Sequence, residues 1–254
     1  MELLFKVGNT HTVMGIAQTD KTFKIWRIDT KNLATEDEVF AYLYTLCQFA
    51  GINPAHIKQI GVASVVPSVN YSLQRLGEKY FQVQTVFVNC NARIFDIAYQ
   101  VDYPQEIGAD RIANVIAAKK DYGDQVIVVD FGTAITIDVV QQGNFVGGAI
   151  LPGFQTAMMA LFSNTAQLPQ VELRIPDHLI GVNTIDNIQI GILKITILGI
   201  ERLIEAIRQA SPTDYAVVCT GGLGKFLKGS SWLFDRYDPD LTLKGIRYFL
   251  QYAQ

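Results

Sequence analysis

Three short stretches carry residue types and spacings suited to handling an anion. Residues 3–16, LLFKVGNTHTVMGI, read as strand, Gly-Asn-Thr turn and strand, with Lys6 just ahead of the turn. Residues 128–140, VVDFGTAITIDVV, repeat that layout with Asp130 in the matching place. Laid over one another, Gly8 meets Gly132, Thr12 meets Thr136, and Lys6 meets Asp130. Glycine lets a backbone approach a ligand closely, and turn N–H groups with Thr hydroxyls donate to an anion. The third stretch, GADR at 108–111, sets an acid beside a guanidinium. Asp110 can accept a proton or simply favour a helix N-terminus, and Arg111 offers an anion a planar fork of donors.

The elements that must hold these residues follow one plan twice. ELLFKV, TVMGIAQ and KTFKIWRID read as three strands, and a helix from Thr35 to about Phe49 opens on the capping-box pair Thr35 and Glu38. A strand (QIGVASV), a helix (SVNYSLQRLGEKYF), a strand (VQTVFVN) and a helix (GADRIANVIAAKKDYG) come next. QVIVVDFG, AITIDVV and NFVGGAIL restart the plan with three more strands. Helices around GFQTAMMALF and from Thr184 to about Ala210, the strand YAVVCTGG and a helix from about Thr242 to Tyr252 complete it. Meanders followed by crossovers predict an α/β fold of two domains, 1–117 and 118–254, each a mixed sheet covered by helices on both faces. With a Gly-Thr turn from each domain facing a shared cleft, a nucleotide's phosphates would be gripped from two sides.

Composition excludes several function classes. Of 254 residues, 49% are hydrophobic and 18% charged, a globular balance, and the net charge of −3 gives no footprint for nucleic acid. No basic run exceeds Lys119-Lys120, and no stretch reaches the ~18 apolar residues of a membrane span. The N-terminus lacks the pattern of a signal peptide, so a cytoplasmic protein is expected. Cys47, Cys90 and Cys219 are too few and too dispersed for a disulfide framework, and His11, His56 and His178 have no zinc-ligand spacing. Ile192, Ile195, Ile197, Leu198 and Ile200 form a stripe expected in a core or a dimer interface.

In order along the chain, VGNTHT (7–12), ASVVP (63–67), GADR, VVDFGTAITID, GGAILPGF (147–154), SNTAQLP (163–169), GVNTIDNIQIG (181–191), CTGGLG (219–224) and DPDLTLKGI (238–246) together resemble the type III pantothenate kinases. The resemblance implies duplicated actin-like (ribonuclease H-like) domains, the superfamily of actin, sugar kinases and Hsp70, with the active cleft between them, acting as a homodimer. It implies ATP-dependent phosphorylation of pantothenate to 4′-phosphopantothenate, the first step toward coenzyme A, with ATP, Mg2+ and a monovalent cation (K+ or NH4+). Asp110 would be the catalytic base, and Val101, Gly108, Ala109, Asp110, Arg111 and Thr184 the pantothenate contacts. Lys6, Val7, Gly8, Asn9, Thr10, His11, Thr12 and Val13, with Gly132 and Thr133, would bind ATP. Asp130 would hold the monovalent cation, and Thr220, Gly221 and Gly222 would lie against the nucleotide's base or ribose.

The chain departs from the family pattern at several of these places. The first phosphate motif of the family begins with Asp, where Lys6 stands. Lys6 either neutralises the phosphates itself or marks a catalytically impaired paralogue with a ligand-binding or regulatory role. Val101 stands where the family has an aromatic, Val182 replaces a Lys, Ile190 replaces a small polar residue, and Ile195 and Leu198 replace glycines. These changes leave room for a different hydroxylated substrate or for a remodelled dimer face.

Overall fold

A computed structural model describes residues 1–18, 22–91, 94–227, 229–234 and 236–252. In chain order the first elements are β1 Glu2–Val7, β2 His11–Ala17, β3 Phe23–Asp29, α1 Glu36–Phe49, β4 Gln59–Ser64, α2 Pro67–Leu76, β5 Thr85–Phe87 and α3 Ala109–Tyr122. They are followed by β6 Val126–Phe131, β7 Ala134–Gln141, β8 Asn144–Pro152, α4 Phe154–Asn164, α5 Thr184–Gln189, α6 Ile195–Gln209, β9 Ala216–Thr220, α7 Gly224–Leu227 and α8 Leu241–Tyr252. The expected strands and long helices are all present, apart from Lys21 of KTFKIWRID, which lies outside the described residues. The short α7 carries no apolar periodicity and went unforeseen.

The first compact unit comprises 1–123, 143–146 and 240–254. Its sheet runs β3-β2-β1-β4-β5, with β2 antiparallel and β4 parallel to β1. Because side chains alternate along a strand, β1 sorts Leu3, Phe5 and Val7 onto one face and Leu4 and Lys6 onto the other. The first set packs with Met14, Ile16, Ile60 and Val62 against Val39, Leu43 and Cys47 of α1 and Leu73 and Leu76 of α2. α1 begins with the capping box expected from its sequence, Thr35 and Glu38 each receiving the other's backbone N–H, an arrangement worth about 1 kcal/mol.

α3 and α8 cover the opposite face. A Cβ on Gly15 would lie 3.0 Å from Leu243, and one on Gly61 2.9 Å from Ile246, so both glycines leave room for α8. At Gly245 a Cβ would come within 1.8 Å of the Ala113 carbonyl oxygen, which sets the two helices backbone to backbone. Thr242 donates to Asn114 at 2.7 Å in the buried seam, and Arg247 pairs with Glu2 of β1. The last helix therefore belongs with the first sheet, whereas the sequence reading ends that domain at residue 117.

The second unit comprises 124–142 and 147–239, with a sheet in the order β8-β7-β6-β9. β6 pairs antiparallel with β7 and parallel with β9, so its arrangement repeats β3-β2-β1-β4. Every residue of β6 is buried, which accounts for its unbroken VIVVDF run. α5 and α6 are continuous through a π-helical turn at Ile190–Lys194. Buried Ile188 and Leu193 are five apart, a spacing that an α-helix would put on different faces and that the wider turn absorbs. The apolar stripe noted in the sequence divides: Ile197 and Ile200 are buried, while Ile195 and Leu198 are 63% and 53% exposed.

Candidate functional site

The Gly8 turn is held from the start of the loop that follows β3. The Thr30 hydroxyl donates to the Gly8 carbonyl at 2.6 Å, and the Thr30 backbone N–H donates to the Thr10 carbonyl at 3.0 Å. A peptide unit is planar, so a Gly8 carbonyl drawn toward Thr30 leaves the Asn9 N–H pointing the other way. Asn9 and Thr10 are exposed, and outward N–H groups in such a turn suit an anion. Thr12 behaves differently from the expected donor. Its side chain is fully buried, and with the Thr30 proton committed to Gly8 the Thr12 hydroxyl donates to Thr30 Oγ1 at 3.0 Å. Arg27 donates to His11 Nδ1 at 2.8 Å, so that nitrogen is an acceptor.

The second turn is built alike. Gly153, the residue after β8, donates its N–H to the Thr133 carbonyl at 3.0 Å, and Thr156 Oγ1 donates to the same oxygen at 2.8 Å. A Cβ on Gly153 would meet the Gly132 and Thr133 carbonyls at 2.4 Å, so only glycine lets α4 begin this close to the turn. The Ala134 N–H faces away from these anchors, by the same planarity. The duplication thus extends to the residues that hold each turn, Thr30 and Gly153 with Thr156; Gly153 falls within the GGAILPGF motif, whereas Thr30 and Thr156 fall in none.

The register corrects the ungapped overlay. Four residues separate the paired Val7 and Thr12, but only three separate Phe131 and Ile135. Lys6 pairs with Val13 and Asp130 with Thr136. Lys6 and Asp130 are equivalent as expected, whereas the counterpart of Thr136 is Val13, and Thr12 points to the opposite face.

Asp130 is 6% exposed at the end of β6 beside Thr220 of β9, its register partner. Gly221 adopts φ +97°, and a Cβ there would lie 2.5 Å from Asp130 Oδ1, so the chain turns directly over the carboxylate. The Thr220 hydroxyl, 1% exposed, has no hydrogen-bond partner among the described residues. Burial, and after it the Asp130 charge, pushes the Cys219 thiol far above its ordinary range.

GADR folds as the first turn of α3, with Gly108 as its N-cap. The Arg111 N–H donates to Asp110 Oδ1 at 2.9 Å, which folds the carboxylate back over Gly108. A Cβ at 108 would stand 2.7 Å from that oxygen and 3.4 Å from Val65. Val65 in turn donates its N–H to Val7 at 3.1 Å, so the start of α3 lies at the same end of the sheet as the Gly8 turn. Lys6 and Asp110 share the α3 face of that sheet. Val101 is half-buried on the approach to α3, and Arg111 sits with its guanidinium carbon 5.5 Å from the centre of the Phe145 ring. Asp130, Gly132 and Thr133 belong to the second unit, as does Thr184, exposed at the start of α5, where Asn183 caps the helix by accepting the Asp186 N–H at 2.9 Å.

Two sheets of one topology, each with an anchored Gly turn after its first strand, define the duplicated actin-like fold. The structure of MreB 5 from Spiroplasma citri bound to AMPPNP is similar at a TM-score of 0.53 and 10% identity, over 98% of this chain and 96% of that one. A family model for type III pantothenate kinase matches residues 2–206. The chain is 53% identical to the type III pantothenate kinase of Petrotoga mobilis over 98% of its length and 97% of the relative's. With that of Kosmotoga olearia the identity is 44% over 99% and 96%. The chain belongs to the type III pantothenate kinase family.

Proposed function

We propose that this protein transfers the γ-phosphoryl group of ATP to the primary hydroxyl of pantothenate, with Asp110 as the base, in the route to coenzyme A. The observation that carries the role of Asp110 is its carboxylate, half-buried at the N-terminus of α3 and steered by the Arg111 N–H. As the substrate oxygen bonds to phosphorus and the bond to ADP breaks, the hydroxyl proton passes to Asp110. Arg111 engages the pantothenate carboxylate, with Val101, Gly108, Ala109 and Thr184 completing that subsite. The Gly8 and Gly132 turns take the phosphates through their outward N–H groups, catalysis being mainly positioning and charge neutralisation.

ATP and a divalent cation go with kinases of this family. Position 6 offers such an ion no acceptor, since Lys6 is a cation. At ~4 Å and an effective dielectric of ~20, its repulsion from a divalent ion is roughly 8 kcal/mol, twice that of two unit charges. Charge neutralisation at the first turn therefore falls to Lys6 itself, acting on the phosphates as a point charge. A monovalent cation suits the buried Asp130 carboxylate and the Thr220 hydroxyl, which has no hydrogen-bond partner among the described residues, both being oxygen donors.

The second unit exposes Leu179, Ile180, Val182, Ile185, Ile195 and Leu198 at 50% or more, and this apolar surface supports a homodimer. Among the described residues no helix is long and apolar enough to cross a membrane.

Mass spectrometry of pantothenate and ATP incubated with the parent protein and with Lys6→Asp tests the reading. Phosphopantothenate from the parent upholds it. Product from Lys6→Asp alone identifies an impaired kinase whose loss lies in that one charge, the reading that Lys6 favours in second place. Product from neither overturns the kinase reading, moves the cause of the loss to Val101 and the remodelled helix, and puts the ligand-binding or regulatory reading first.

A further inference from the structure

We propose that Phe145 is a positioning residue for substrate, holding the Arg111 guanidinium against its ring so that the fork of donors is set for a carboxylate. The inference rests on the kinase reading above and adds a residue that no sequence motif points to. Phe145 lies just past the turn of the β7–β8 hairpin, in which Gln142 and Gly143 take φ +50° and +74°, the two-residue turn that matches strand twist. Residues 143–146 belong to the first unit, although β7 and most of β8 belong to the second.

Four hydrogen bonds fix this tip, three to the segment that leads to Val101 and one to α3. The Gln100 N–H donates to the Phe145 carbonyl at 2.8 Å, and the Phe145 N–H to the Ala98 carbonyl at 3.0 Å. The Ala98 N–H donates to Asn144 Oδ1 at 3.0 Å, and Lys119 Nζ to the Gly143 carbonyl at 3.1 Å. The ring is left little freedom: Phe145 is 1% exposed, and Tyr99 packs at 6.1 Å between centroids. Arg111, with its guanidinium carbon 5.5 Å from the ring centre, is within the range where the negative face of an aromatic attracts a cation. Burial keeps the Tyr99 phenol well above its ordinary range, so this wall adds no negative charge to compete for Arg111.

The geometry also bears on Val101. The family's aromatic is missing there, yet Tyr99, two residues upstream, and Phe145 supply rings to the same neighbourhood. An arginine held by one face loses less freedom when its donors engage an anion, which is the advantage of preorganisation. The chemical class recognised is a carboxylate on a small hydroxylated substrate.

The test compares Phe145→Leu with Phe145→Tyr, using the full chain. Two-dimensional NMR of arginine Nε–H groups, with Arg111→Lys to assign the signal, should show Arg111 shifted upfield by the ring current. That shift should persist in Phe145→Tyr and vanish in Phe145→Leu. Calorimetric titration with pantothenate should give affinity roughly tenfold weaker for Phe145→Leu and near parental for Phe145→Tyr. In an Arg111→Lys background, Phe145→Leu should cost much less than it does alone. An Arg111 signal without an upfield shift overturns the proposal even if Phe145→Leu proves poorly folded. Unchanged pantothenate affinity in a folded Phe145→Leu overturns it while leaving the kinase reading intact. A parent that binds no pantothenate overturns both.

Discussion

The Thr30 hydroxyl donates to the Gly8 carbonyl at 2.6 Å, and this bond, reaching across 22 residues of chain, sets which way the first turn faces. The same residue's backbone holds Thr10, and its oxygen accepts from Thr12. One buried side chain therefore links the turn, the following strand and the loop after β3.

Replacing Thr30 by Val keeps the shape and removes the hydroxyl. The Gly8 carbonyl and the Thr12 hydroxyl then lose a partner, a loss of about 1–3 kcal/mol for buried polar groups. Thermal denaturation should show that loss, and KM for ATP should rise severalfold with KM for pantothenate nearly unchanged. Thr30→Ser should restore both. Equal rises in the two KM values would show that the turn does not act on ATP alone.

Gly108→Ala should separate activity from stability. The clash at 2.7 Å is with the end of the Asp110 side chain, which can swing aside, so melting should change little. Moving the carboxylate should lower kcat by at least tenfold, and Asp110→Asn by ~10²–10⁴, the range for a lost general base. Full activity in both variants would remove Asp110 from the chemistry.

Gly245→Ala should do the reverse. The added methyl would meet the Ala113 backbone, which has no rotamer to yield, and the expected loss is about 3 kcal/mol. Urea denaturation measures it. A loss below about 0.5 kcal/mol would mean that α8 does not need this close approach.

Thiol labelling gives a pH-dependent check. Burial raises the pKa of both Cys47 and Cys219, Asp130 adding to it at Cys219, so both remain thiols where an open cysteine is becoming thiolate. Iodoacetamide at pH ~8 should alkylate neither in the native protein, and mass spectrometry of the digest would reveal any label. The sign for stability follows. Above the ordinary thiol range of ~8.5 the unfolded chain loses these protons and the folded one keeps them, so stability contributed by the two thiols falls as pH rises.

The elements and the order in which they repeat can be read from the chain alone. Period-2 and period-3.6 patterns, the Thr35–Glu38 cap and the glycine turns are local, and local chemistry suffices to read them. The equivalence of Lys6 and Asp130 was likewise legible, because each is the last residue but one of the first strand of its sheet. Where position depends on a partner far along the chain, the folded contacts were needed to place it. Strand register placed Thr12 opposite Val7 and Val13 opposite Lys6, which put Thr12 in the core instead of among anion donors. Backbone contact at Gly245 and Ala113 gave α8 to the first sheet. Thr30, Thr156 and Phe145 carry no motif, since what they do depends on a carbonyl or a cation that folding brings to them.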